Sequence, residues 1–306
     1  MANNSPELGP ISLQFKRHLP FGDNLGKKDR KGNPINLTLY EGRILTPNRP
    51  EFFEFSRKAE VRPDDIFVCG YAKTGCHWIW EMLSMIRKGK GQFSEMGKAE
   101  AFLEFSGPEL YNALPSPRIL NTHNEFDWLP EKVSTYKNKI ILTMRNPKDV
   151  AVSLYNHHIN LTEMYNYHGE FHDWFELFLE GYVDNGDFFD YHLRWENTIK
   201  ENPDHPILIV KYEDAREDLP ATVRKLAGFI DTPLTEDQVQ DIVKSISFES
   251  VKKRFESLPT SKLIRKGVVG DWKNWLTEEQ STELDRRNER LKGTHFETRF
   301  EPRATQ

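Results

Sequence analysis

The chain has 306 residues, 37% apolar and 29% charged, enough for one large α/β domain or two small ones, with a core that needs no staples. Its formal net charge of -5 excludes a global basic field for nucleic acid or an anionic membrane, so an anion bound here needs local Arg and Lys. Residues 1–10 lack the apolar stretch of a signal peptide and apolar runs such as 207–210 are strand-sized. Two cysteines, Cys69 and Cys76, make no disulfide framework. The expectation is a soluble cytoplasmic chain, with the sequons at Asn36 and Asn160 as chance matches.

In chain order, residues 1–60 mix Pro, Gly, charge and scattered Phe and read as an irregular arm. Residues 61–300 read as the core of a single domain spanning 1–306. Residues 65–70 (DIFVCG) form a buried strand, and 75–88 a helix with Ile79, Leu83 and Ile86 on one stripe. Strands follow at 118–122, 139–144 (KIILTM) and 206–211 (PILIVK). Asn146 caps and Pro147 opens another helix, and further helices fit 172–181, 187–200, 219–230 and 235–245. Strands alternating with helices predict an α/β fold: three layers, with a P-loop-like central parallel sheet of about five strands flanked by helices. Ligands then sit beyond the carboxyl ends of the strands.

The first strand runs into Gly70-Tyr71-Ala72-Lys73-Thr74-Gly75-Cys76-His77-Trp78. A strand, a Gly-bearing turn with Lys and Thr, and then a helix start make an anion site, because the first N–H groups of the helix point at the ligand. Lys73 precedes Gly75, so this is not a Walker A loop. On residues alone the segment reads equally as a turn with a solvated Lys. Arg145 at a strand end, with Ser153 two turns into the capped helix, makes a second anion site; a surface salt bridge and a helix hydroxyl are the alternatives. A third basic segment, Arg265-Lys266-Gly267, suits a loop that folds over a phosphate.

These segments resemble those of the cytosolic sulfotransferases, in the family's order over roughly residues 60–300. Tyr71, Lys73, Thr74, Gly75 and Trp78 match the family's Y-P-K-[ST]-G-[TS]-x-W loop, while Ala72 replaces Pro and Cys76 replaces a hydroxyl residue. Residues 118–123 (RILNTH) resemble R-x-x-K-T-H, with Asn121 in place of Lys, which removes a positive charge near the transferring group. Residues 145–153 resemble R-N-x-K-D-x-x-x-S, residues 265–273 R-K-G-x-x-G-D-W-K, and Tyr212-Glu213-Asp214 Y-E-D. Residues 174–191 resemble the family's acceptor-side helices.

The resemblance implies transfer of a sulfonate group from 3′-phosphoadenosine-5′-phosphosulfate (PAPS) to a hydroxyl, or an amine, of a small molecule, with PAP as the product and no metal. His123 is implied as general base and Lys73 as the cation at the leaving 5′-phosphate. An unperturbed His titrates near 6.5 and is mostly neutral at pH 7. Thr74, Gly75, Cys76 and His77 complete the 5′ loop; Arg145, Ser153, Arg265, Lys266 and Gly267 hold the 3′-phosphate; Trp78, Tyr212 and Phe248 stack on the adenine. Phe102, Phe105, Tyr165 and Phe171 line an acceptor pocket or pack in the core. A non-catalytic PAPS- or PAP-binding protein and a P-loop-like nucleotide kinase are the alternatives. The family's dimer motif K-x-x-x-T-V-x-x-x-E is half present: Lys273 and Thr277 match, and Glu278 and Thr282 do not. A monomer or a differently built dimer is expected.

Overall fold

The structure is a computed structural model that describes residues 24–95, 98–255 and 266–299, without the side chains of Phe248 and Phe255. Part of the expected irregular arm is ordered. Strands β1 (Thr38–Tyr40) and β2 (Arg43–Leu45) pair as an antiparallel hairpin across Glu41-Gly42. Both turn residues have positive φ, 46° and 78°, as a two-residue hairpin turn demands. Helix α1 (Pro50–Lys58) follows, opened by Pro at its first position and anchored by buried Phe53. These short elements lack the run length that marks an element in sequence.

Strands β3 (Ile66–Gly70), β4 (Ile119–Thr122), β5 (Lys139–Met144) and β6 (Ile207–Lys211) form a parallel sheet in the order β4-β3-β5-β6. Each lies where the apolar runs place it, and the described sheet has four strands rather than about five. β3 is buried along its whole length, and β5 from Ile140 onward, as a sheet covered on both faces requires. Arg118 stands just before β4 because its guanidinium is engaged. It donates to both oxygens of Asp65, at 2.8 and 2.5 Å, and lies over the Tyr111 ring.

Helices α2 (Cys76–Lys88), α3 (Pro147–Asn160), α4 (Phe171–Leu179) and α5 (Phe188–Glu201) agree with the sequence pattern within a residue or two. So do α6 (Leu219–Phe229) and α7 (Glu236–Ser245). Asn146 caps α3 by accepting from the Asp149 N–H. The half-present dimer segment has a local use: Thr277 caps the helix Glu278–Asn288 in a capping box with Gln280, and Glu278 lies in the first turn, where the dipole favours an acid.

The chain leaves β3 for β4 on one side and takes up β5 on the other. The crevice of an open α/β sheet therefore opens at the carboxyl end of β3.

Candidate active site

Each implied functional residue on the sheet side follows the carboxyl end of a strand: Lys73 after β3, His123 after β4, Arg145 after β5 and Tyr212 after β6. The loop after β3 is tightly wound. Lys73 itself takes a left-handed φ of 71°, and Gly75, at 110°, caps α2. A Cβ on Gly75 would stand 3.0 Å from the Tyr212 ring, so glycine serves both the turn and the close approach. Burial first, then the charges of Lys98 and Arg145, lower the Lys73 ammonium to about 8. Like charges gathered in this way describe a site built for an anion.

Two loop residues turn inward. The Thr74 hydroxyl donates to Tyr71 O at 2.7 Å and lies 2.7 Å from the Thr143 hydroxyl. Cys76 Sγ lies 3.0 Å from that same hydroxyl. Thr143 of β5 thus ties the loop to the sheet, and the two side chains brace it. His77 is held neutral: burial, then Lys98 and Lys73, lower it to about 3.

His123 is joined to the loop directly. Its Nδ1 lies 2.6 Å from Gly70 O, the last carbonyl of β3. A carbonyl only accepts, so Nδ1 carries the proton and the neutral ring presents a basic Nε2. Glu104 fixes the backbone around it: Oε1 accepts from Thr122 Oγ1 (2.9 Å), His123 N (2.6 Å) and Asn124 N (3.2 Å). Burial raises Glu104 to about 7. The structure corrects the ordinary titration expected of His123. Burial, followed by the charge of Lys98, lowers it to about 3. The ring is neutral throughout the physiological range, and a bound anion that offsets those cations raises its basicity.

The second candidate anion site is assembled across three segments. Arg145 is buried, lies 4.3 Å over the Tyr212 ring and donates through Nη2 to Val268 O at 3.0 Å. Its Nε is buried with no hydrogen-bond partner among the described residues. Asp149, one turn into α3, accepts from Gly270 N (2.8 Å) and Trp272 N (3.1 Å), which pins the 266–272 loop over Arg145. Tyr212 donates to Gly267 O at 3.0 Å, and its ring lies 5.5 Å from that of Trp78. Lys266 is exposed and paired with Asp271 at 2.8 Å. Ser153 lies one turn beyond Asp149 along α3 and is half-buried. Arg265 and the side chain of Phe248 fall outside the described residues.

On the acceptor side, Phe102 meets His123 edge-on at 4.9 Å, and Phe105 lies 4.9 Å from Phe102. Phe171 instead packs against Tyr155 and Trp275 in the core. Sequence reasoning missed Lys98, Glu104, His157 and Asp184. The one legible signal was Glu104, an acid enclosed by apolar residues in FLEF. Asp184 accepts from His158 Nε2 (2.5 Å), Tyr165 OH (2.9 Å) and Thr46 Oγ1 (2.5 Å). Trp174 Nε1 donates to His158 Nδ1 at 2.8 Å, so it is His158 Nε2 that donates to Asp184, and the buried carboxylate of Asp184 acts on Lys73 against the neighbouring cations.

A sequence model of the sulfotransferase domain matches residues 63–295. The chain belongs to the sulfotransferase family. It is 34% identical over 261 residues to Sulfotransferase 6B1 of Homo sapiens, covering 82% of this chain and 84% of that protein. It is 33% identical over 265 residues to Sulfotransferase 6B1 of Danio rerio, covering 84% and 88%. Among solved structures it is similar to mouse sulfotransferase SULT7A1 complexed with PAP, with a TM-score of 0.71, 26% identity and coverage of 84% of this chain and 95% of that one. A retinol dehydratase in a complex with retinol and PAP shares the fold, with a TM-score of 0.71 at 20% identity and coverage of 96% and 97%. Membership of the sulfotransferase family removes the nucleotide kinase reading. Among the described residues, no helix is long and apolar enough to cross a membrane.

Proposed function

We propose that this PAPS-dependent sulfotransferase moves a sulfonate group to a hydroxyl, or an amine, of a small molecule, with His123 as general base and Lys73 at the leaving 5′-phosphate. The observation that carries the reading is the 2.6 Å bond from His123 Nδ1 to Gly70 O, which sets the basic Nε2 beside the anion loop. The residues fit the donor: a glycine cradle at Gly75, the ammonium of Lys73, and an orphaned buried Nε on Arg145. PAPS, when bound, supplies the sulfonate and departs as PAP. His123 Nε2 takes the acceptor proton as the new O–S bond forms and the bond to the bridging oxygen breaks. Lys73 stabilises the charge left on that oxygen.

Arg145, Ser153, Arg265, Lys266 and Gly267 are proposed for the 3′-phosphate, and Trp78, Tyr212 and Phe248 for the base. A 3′-phosphate on Arg145 selects PAPS over ATP, which leaves the buried Nε of Arg145 without a partner. Phe102 beside His123, with Phe105 packed against Phe102, favours a flat apolar acceptor. Both cysteines are buried and free, which suits a reducing compartment and a cytoplasmic location.

The test is the melting temperature with PAP, with ATP–Mg²⁺ and with neither. Saturating PAP at about 100 Kd adds about 2.7 kcal/mol, a rise of roughly 4 °C, with little change from ATP–Mg²⁺. A rise with ATP–Mg²⁺ alone would overturn the assignment of Arg145.

A further inference from the structure

The residue at the position where the family's segment carries Lys is Asn121, and it is fully buried on β4. Neither its Oδ1 nor its Nδ2 has a hydrogen-bond partner among the described residues. The edge of β4 is covered by the turn Lys98–Ala101 and the residues after it: Phe102 bridges Asn121 in parallel, and Leu103 N donates to Asn121 O at 2.9 Å. That arrangement carries Lys98 to the site. Its Nζ lies 4.8 Å from the centroid of the Phe102 ring, and the same ring meets His123 edge-on at 4.9 Å. We propose that Lys98 supplies, from the neighbouring turn, the positive charge that position 121 lacks, and binds the sulfonate oxygens during transfer.

The electrostatics of the site agree with the geometry. After burial, Lys98 is the strongest charge acting on Lys73, on His77 and on His123 alike. Its charge therefore reaches the loop and the base together. Burial lowers Lys98 itself below the ordinary ammonium value, and Cys76 and then Glu104 act in the opposite sense. Lys73 and Lys98 repel one another until an anion lies between them, so their pairing stores affinity for a dianionic phosphosulfate. Asn121 retains a neutral donor, and Lys98 brings the charge.

The proposal rests on the PAPS reading, and the experiment separates the two. Lys98→Met, Lys98→Arg and Lys98→Met/Asn121→Lys are compared with the wild type in two measurements. One is the turnover number with PAPS and a phenol; the other is calorimetric affinity for PAPS and for PAP without acceptor. Lys98→Met is expected to lower kcat about 100-fold and weaken PAPS about tenfold, while PAP, which lacks the sulfonate, holds within about twofold. Lys98→Arg retains at least about ten times the activity of Lys98→Met, and Asn121→Lys restores the Met variant to within about tenfold of wild type. Unchanged turnover in Lys98→Met, equal weakening of PAPS and PAP, or Arg and Met variants of equal activity would each overturn the role of Lys98. So would a folded double variant with no rescue. A wild-type chain that binds neither nucleotide would instead sink the PAPS reading itself.

Discussion

At the residue scale, His123 and Lys73 set the pH behaviour of the free enzyme. Burial and Lys98 keep His123 neutral down to about 3, so the acid limb of kcat/KM is expected well below the pH 6.5 of an ordinary imidazole. Lys73, lowered to about 8, loses its charge as pH rises through that value, so activity falls on the alkaline side. A pH profile of kcat/KM checks both limbs, and Lys73→Arg, which does not titrate there, should move the alkaline limb upward. An alkaline limb left in place by that substitution would show that another group sets it. Side-chain titration of His123 followed by NMR gives the complementary readout: PAP is expected to raise its pKa by offsetting the neighbouring cations.

At the scale of elements, the sheet and the placement of the candidate site residues at its strand ends were legible because each strand is a short apolar run ending in a chemically distinctive residue. The sites themselves depend on long-range closure that no local pattern shows. Asp149 reads in sequence as a helix-start acid, yet its carboxylate reaches 121 residues along the chain to the Gly270 amide. Lys98 and Glu104 reach His123 only because the turn before Phe102 lies along the β4 edge. Asp149→Ala should free the 266–272 loop and raise the Kd for PAP about tenfold, measured by titration calorimetry. The Arg118–Asp65 pair holds the start of β4 against that of β3, both groups being almost fully buried. Arg118→Met leaves a buried carboxylate without its partner and should cost about 3–5 kcal/mol in denaturant unfolding. A loss under 1 kcal/mol would show that the pair is not what joins those strands.

At the scale of the whole molecule, the balance of buried titratable groups predicts how stability follows pH. His77 and His123 are lowered to about 3 and His192 to about 4, all chiefly by burial, and burial also holds His157 well below its ordinary value. Each stays neutral in the fold while the unfolded chain takes up a proton below about pH 6.5, so each removes stability as pH falls. Glu81 and Glu104 act in the opposite sense. Burial raises both to about 7, and the stability they contribute below 4.5 is lost as pH rises through 7. Burial also lowers His205 and raises Glu213, so five imidazoles outweigh three carboxyls and the melting temperature should be lower at pH 5.0 than at pH 7.5; the reverse order would contradict these assignments.

The most direct test of the central claim, sulfonate transfer from PAPS with His123 as base, is the transfer of radiolabelled sulfonate from PAPS to a panel of phenols and alcohols. Wild type and His123→Ala are compared under conditions where both bind PAP with the same affinity. Wild type is predicted to label at least one acceptor, with a loss of about 100-fold to 10,000-fold in the variant. Full turnover by His123→Ala across the pH range would contradict the account.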